Sequence, residues 1–117
     1  MNTTHLNNLK SGCVKIKIKE GMLSRVYEWK EFLNSNKEEV IESLRQEGVF
    51  LETVFLDKQG EDNYLIYYMR FRDEEKAKAA FSQSKLNVDK YHAQFKQEVF
   101  VGKQELELLI DFINLDV

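Results

Sequence analysis

Apolar and polar positions alternate most cleanly in two stretches of the chain. Asn63–Arg72 reads NYLIYYMRFR, with Leu65, Tyr67, Met69 and Phe71 at every second position. Tyr64, Ile66, Tyr68, Arg70 and Arg72 fall between them. A period of two in aromatic and β-branched residues marks a strand with one buried face. The stretch is predicted to be a central strand whose reverse is half-polar. Cys13–Lys19 alternates in the same way, Val14, Ile16 and Ile18 against Lys15, Lys17 and Lys19. It is predicted as a second half-buried strand, with the lysine row solvated or ion-paired.

Helical spacing takes over after Gly21. Met22, Val26, Trp29 and Leu33 form one stripe, widened by Phe32. This helix is expected to falter near Asn34–Asn36. Asn36 with Glu39 resembles a capping box that opens a second helix, with Val40, Ile41 and Leu44 inward and Gly48 as its stop. Val49–Leu56 reads as a strand with two partly apolar faces, so its buried side stays open. Asp57–Asp62, DKQGED, reads as a hairpin loop.

Beyond the central strand, Asp73 is a predicted N-cap, with Glu74 and Glu75 favourable in the first turn. Ala77, Ala80 and Phe81 would face inward, the alanines allowing close approach to a sheet. A break near Ser82–Leu86 precedes another helix from Asn87, with Val88, His92, Phe95 and Val99 on one stripe, Tyr91 beside it and Gly102 at its end. Gln104–Ile113 alternates again and is predicted as the last strand. Leu106, Leu108, Ile110 and Phe112 would face the core, and Glu105, Glu107, Leu109 and Asp111 the reverse.

The order strand, broken helix, strand, hairpin, strand, broken helix, strand is the β-α-β-β-α-β pattern of an α+β, ferredoxin-like fold. Right-handed crossovers then put the split helices on one face of a four-stranded antiparallel sheet, its first and third strands in the middle. The reverse face would carry Lys15, Lys17, Ile66, Tyr68, Arg70, Glu107, Leu109 and Asp111. Lysines of the first strand would oppose acids of the last. Ile66, Tyr68 and Leu109 make an apolar strip too large to leave bare. A homodimer pairing two such faces would cover it, because an isologous contact uses one patch twice.

Length and composition narrow the class. The 117 residues fit one domain, 13–117, after a polar, flexible tail at 1–12 in which His5 is solvated. A hydrophobic fraction of 43% with 32% charge fits a globular chain. No apolar run approaches the roughly 20 residues of a membrane span, and MNTTHLNNLKSG lacks the apolar core of a secretory signal. One cysteine, Cys13, forms no internal disulfide and reads as an ordinary strand residue of a cytoplasmic protein. The net charge of −3 argues against nucleic acid, and the third strand lacks the basic, glycine-containing pattern of an RNA-recognition sheet. Dinucleotide, P-loop, zinc and nucleophile-elbow patterns are missing, so neither metal nor cofactor is implied.

Val14–Gly21 (VKIKIKEG), Tyr27–Leu33 (YEWKEFL), Asp73–Phe81 (DEEKAKAAF) and Glu105–Phe112 (ELELLIDF) resemble the dimeric α/β-barrel branch of ferredoxin-like proteins. Within that branch the chain most resembles a small bacterial domain family of unknown function, over nearly all of 13–115. The resemblance implies the fold and a homodimer with facing sheets, and assigns no activity. Better-known members of the superfamily are cofactor-free monooxygenases, muconolactone-type isomerases and haem-degrading enzymes. The haem-degrading set of Asn, Trp and His does not carry over, since Trp29 lies on the first helix.

Candidate chemistry is sparse. His92, the only histidine inside the domain, has a general base's working pKa but sits on an apolar stripe, where a core histidine is the simpler reading. It has no spaced metal-binding company. Trp29 reads as core before pocket wall. Tyr68 and Arg70, with Lys15 or Lys17, would hold a flat anion, unless the same residues only pack a dimer. The expectation is a homodimeric small-ligand-binding or structural module. The alternative is a cofactor-independent monooxygenase- or isomerase-like enzyme on a small aromatic or lactone substrate, with His92 or Tyr68 handling a proton.

Overall fold

The computed structural model describes residues 8–114. His5 and most of the expected tail lie outside them. Eight elements follow in order: β1 (Lys10–Ile18), α1 (Leu23–Ser35), α2 (Lys37–Glu47), β2 (Val49–Gln59), β3 (Asp62–Phe71), α3 (Glu74–Gln83), α4 (Asn87–Val99) and β4 (Phe100–Glu105). The sheet is antiparallel, ordered β2-β3-β1-β4, so the first and third strands are central as expected. The fold is α+β and ferredoxin-like, with each crossover split into two helices.

Register sorts the side chains. Val14 pairs with Tyr67 and Ile16 with Leu65, and Val54 and Leu56 of β2 join them through the same two β3 residues. This face meets Val26 and Trp29 of α1 and Phe95 and Val99 of α4 in one core. Leu65, Phe95 and Val99 are fully buried. Each large side chain so buried contributes about 1.5–3 kcal/mol of transfer free energy. The reverse face carries Cys13 opposite Tyr68, Lys15 opposite Ile66 and Lys17 opposite Tyr64. Phe55 lies there too, paired with Ile66, which settles the orientation of β2.

Local signals explain the helix ends. Asp73 caps α3 by accepting the Lys76 backbone N–H at 3.0 Å. Gly48 ends α2 at φ 72°, a left-handed conformation that costs an L side chain about 1–2 kcal/mol. Asn36 behaves differently from a capping box. It stands at the N-cap of α2, where its carbonyl accepts the Val40 N–H at 3.0 Å, but its side chain donates back to the Phe32 carbonyl at 2.8 Å and so closes α1. α3 buries no residue fully and packs against α2, not onto the sheet as its alanines implied.

β1 begins at Lys10, three residues earlier than expected, with Leu9 buried before it. Ser11 and Gly12 carry no alternation, but β3 offers Arg70 and Met69 as ladder partners. A Cβ on Gly12 would sit 3.1 Å from the Phe71 ring, so the glycine makes room for that ring.

The largest correction concerns the last strand, expected at 104–113 and found at Phe100–Glu105. The chain passes from α4 into β4 without a loop, and Gly102 lies inside the strand. Ile18 pairs with Phe100 and Lys17 with Gly102, an irregularity that leaves Val101 unpaired. Lys103 and Glu105, opposite Ile16 and Val14, therefore face the helices. The pairing ends as the Leu106 N–H donates to the Cys13 carbonyl at 2.9 Å. Residues 106–114 then form an arm without regular structure. Leu106, Leu108, Ile110 and Phe112, expected in the core, are exposed, Phe112 at 88%. The alternation is real, but a strand also needs a neighbour, and the arm has left its own.

Candidate functional site

Two places gather the chemistry, one on each side of the sheet. On the helix side, α1 supplies Trp29, β3 Tyr67, and α4 His92 and Phe95. The Trp29 and Phe95 rings stack at 4.6 Å with 6° between their planes. Trp29 Nε1–H donates to His92 Nδ1 at 3.1 Å, which puts the ring proton on Nε2. Burial first, then repulsion from Lys96, lowers the His92 pKa to about 4, so the imidazole is neutral at neutral pH. The Tyr67 ring lies 6.3 Å from His92, and its buried hydroxyl finds no partner among the described residues. Burial, then the Glu52 carboxylate, raises the Tyr67 pKa. On α2, burial pushes Glu47 up to about 7, Asp89 and Glu52 adding to the rise and the Ser43 hydroxyl opposing it.

Some neighbouring polar groups have a clear structural task. The Ser43 and Ser84 hydroxyls both donate to the buried Asp89 carboxylate, tying α2 and the α3–α4 turn to α4. Arg25 joins α1 to α4, donating to Glu98 at 2.6 Å and to the Tyr91 hydroxyl at 2.7 Å. Glu98 is thereby engaged away from His92.

On the reverse side, the arm rises over the sheet and leaves a hollow of about 690 Å³. Ser11 and Cys13 of β1, Tyr68 and Arg70 of β3, and arm residues 106–112 line it. Arg70 is only 7% exposed, an unusual burial for a guanidinium on the open face. Its Nη2 donates to Asp111 of the arm, a contact that raises the arginine pKa, with Tyr68 adding to the rise. Its Nη1 is buried with no acceptor among the described residues.

The predicted site residues separate accordingly. Trp29 and His92 come together, on the helix side. Tyr68 and Arg70 come together, on the reverse. The sheet lies between His92 and Tyr68, so the two cannot share one substrate. Lys17 is on the face of Arg70 but six residues along the ladder, roughly 20 Å away at 3.3 Å per residue. It pairs with Asp62 at 3.8 Å, and Lys15 pairs with Asp57 at 3.4 Å. These acids, Asp57 of β2 and Asp62 of β3, replace the last-strand acids expected to face the lysines. Asp111 does reach the open face, but from the arm. Tyr67 as a lone buried hydroxyl, Asp111 as the partner of Arg70, and Cys13 as a wall of the hollow were not foreseen. Alternation placed each on its face; only a count of partners picks them out.

Comparison with known proteins agrees with this architecture. The family description that fits the sequence does so over residues 9–116. The chain belongs to DUF6176, a family of unknown function. No match emerges among curated protein sequences. Among solved structures, the chain is similar to a protein from Bacteriodes thetaiotaomicron described as a candidate antibiotic biosynthesis monooxygenase. The TM-score is 0.60 at 18% identity, over 96% of this chain and 98% of the other. At that identity the likeness establishes the shared fold. No helix among the described residues is long and apolar enough to cross a membrane.

Proposed function

We propose that this chain is a small-ligand-binding module that works as a homodimer, two copies meeting through their open sheet faces and arms. One observation carries the reading: an apolar arm stands over a half-polar sheet face and holds a hollow open beside a buried guanidinium. Leu108, Leu109, Ile110 and Phe112 on the arm and Phe55 and Leu51 on the sheet are exposed together. Exposed apolar area of that extent marks an interaction surface. The Lys15–Asp57 and Lys17–Asp62 pairs neutralise charge within the face, which lowers the cost of covering it. A second copy laid over the hollow would turn it into a chamber, and its volume is within the usual range for small-molecule sites. With a single cysteine and no disulfide to make, the cytoplasm suits it.

Native mass spectrometry of the purified protein tests this reading. The expected spectrum shows two copies, with added mass from a retained small molecule in a fraction of them. A single copy without added mass at every concentration overturns it.

A second reading is favoured by the helix-side cluster and by the fold shared with the described monooxygenase. In it, the protein is a cofactor-independent monooxygenase- or isomerase-like enzyme. The Nε2–H of neutral His92 and the Tyr67 hydroxyl would then donate to a substrate oxygen. His92 is a poor general base in this setting, because Nδ1 is engaged and its pKa is low. Turnover of quinol or lactone substrates that is lost in His92→Ala supports this reading; unchanged turnover in that variant removes His92 from it.

A further inference from the structure

The hollow beneath the arm has one chemically unfinished wall. Arg70 sits within an otherwise largely apolar lining, charged and 7% exposed. A guanidinium has five N–H donors arranged as a fork, and a carboxylate fills two of them at once when it approaches in plane. Asp111 does not. It engages Nη2 alone; Tyr68 lies close enough to help hold the charge, but Nη1 stays buried with no acceptor in hydrogen-bond geometry among the described residues. A buried donor without an acceptor is costly, more so on a charged group. The chain constrains Asp111, because its backbone must also follow the arm. A free carboxylate has no such constraint.

We infer that the hollow binds an organic acid, a single carboxylate on an apolar body, whose carboxylate takes the place of Asp111 on the Arg70 fork. This rests on the ligand-binding reading above and names the ligand class of that site. The carboxylate would meet both terminal nitrogens of Arg70. The Ser11 hydroxyl and Tyr68, which also line the hollow, are the neighbouring polar groups. The body of the acid would lie along Leu106, Leu108 and Ile110. Displacement of Asp111 is feasible because its own carboxylate is 29% exposed and gains water on release. Glu107 is the other acid of the lining and opposes a bound anion, so the Arg70 fork has to outweigh it. Lys15 and Lys17 hold their own acids and are not needed. An anion thus competes with the arm, and occupancy would loosen the latch between residues 111 and 70.

The test pairs two probes of equal shape, octanoate and octanamide, titrated calorimetrically into the full-length protein. Wild type should bind octanoate roughly tenfold more tightly than octanamide, the ratio that one added charge-assisted bond supplies. Arg70→Gln should erase the preference. Asp111→Asn should raise octanoate affinity severalfold, the competitor being weakened, while octanamide is unchanged. Equal binding of the two probes by wild type overturns the organic-acid inference and leaves the ligand-binding reading standing. Binding of neither probe at millimolar concentration also overturns the inference, and the ligand-binding reading is then decided by the native mass spectrum alone. Should Arg70→Gln fail to fold, Asp111→Asn still decides: octanoate affinity that is unchanged or lower shows that ligand and arm do not share the fork.

Discussion

Glu47→Gln should steepen the loss of stability on acidification, because Glu47 and His92 pull in opposite directions. Burial holds His92 at about 4, against an ordinary 6.5. As pH falls below 6.5 the unfolded chain takes up a proton that the folded chain refuses, so folding loses ground until pH 4. The full loss is about 3 kcal/mol, at about 1.4 kcal/mol per unit. Protonation at Nδ1 would also remove the acceptor of the Trp29 N–H. Glu47 is raised to about 7 from 4.5, so the folded chain keeps a proton that the unfolded chain has shed. As pH falls from 7 to 4.5 that handicap disappears and folding gains. Water reaches part of this carboxyl, so the gain is discounted to about 1–1.5 kcal/mol.

Between pH 7 and 4.5 the His92 loss therefore amounts to about 2.5 kcal/mol, of which Glu47 offsets roughly half in the wild type. Glu47→Gln removes the offset and should show the whole loss. Urea unfolding of both proteins at half-unit pH steps measures it, and acids that do not interact with Glu47 cancel in the difference. Curves that run parallel from pH 7 to 4.5 would mean that Glu47 keeps no extra proton in the folded chain. A Glu47→Gln curve flatter than the wild type refutes the sign.

Three further outcomes follow from packing. Phe95→Ala removes a fully buried ring stacked on Trp29 and should cost about 3–5 kcal/mol in urea unfolding. Tyr67→Phe deletes a buried hydroxyl that has no partner among the described residues, so it should raise stability by about 1 kcal/mol rather than lower it; a loss of that size would mean the hydroxyl is satisfied. Leu108→Asp together with Ile110→Asp, both exposed, should leave the monomer's far-ultraviolet circular dichroism unchanged while abolishing self-association in sedimentation.

Much of the fold was legible because its signals are local. The alternation of β1 and β3, the cap at Asp73 and the left-handed stop at Gly48 need only a few neighbouring residues to be read. β4 failed because a period is not a register. Leu106 to Phe112 alternate as well as any strand, yet the ladder began at Phe100, directly off α4, and was finished before them. The faces of β3 were correct, so Tyr68 and Arg70 fell together and His92 fell with Trp29. What the sequence withheld was partnership. Nothing in the spacing of residues 70 and 111 says that they meet across an arm, or that one nitrogen stays unpaired when they do. The burial of Arg70 depends on that meeting and was equally hidden.

Cys13, the chain's one cysteine, lines the hollow and reports on the face that a second copy would cover. The rate of its reaction with a colorimetric disulfide reagent, followed across protein concentrations from nanomolar to about 100 μM, tests that cover by mass action. The rate should slow by about tenfold or more as concentration rises, while Leu108→Asp/Ile110→Asp stays fast throughout. One rate for both proteins at every concentration would contradict it.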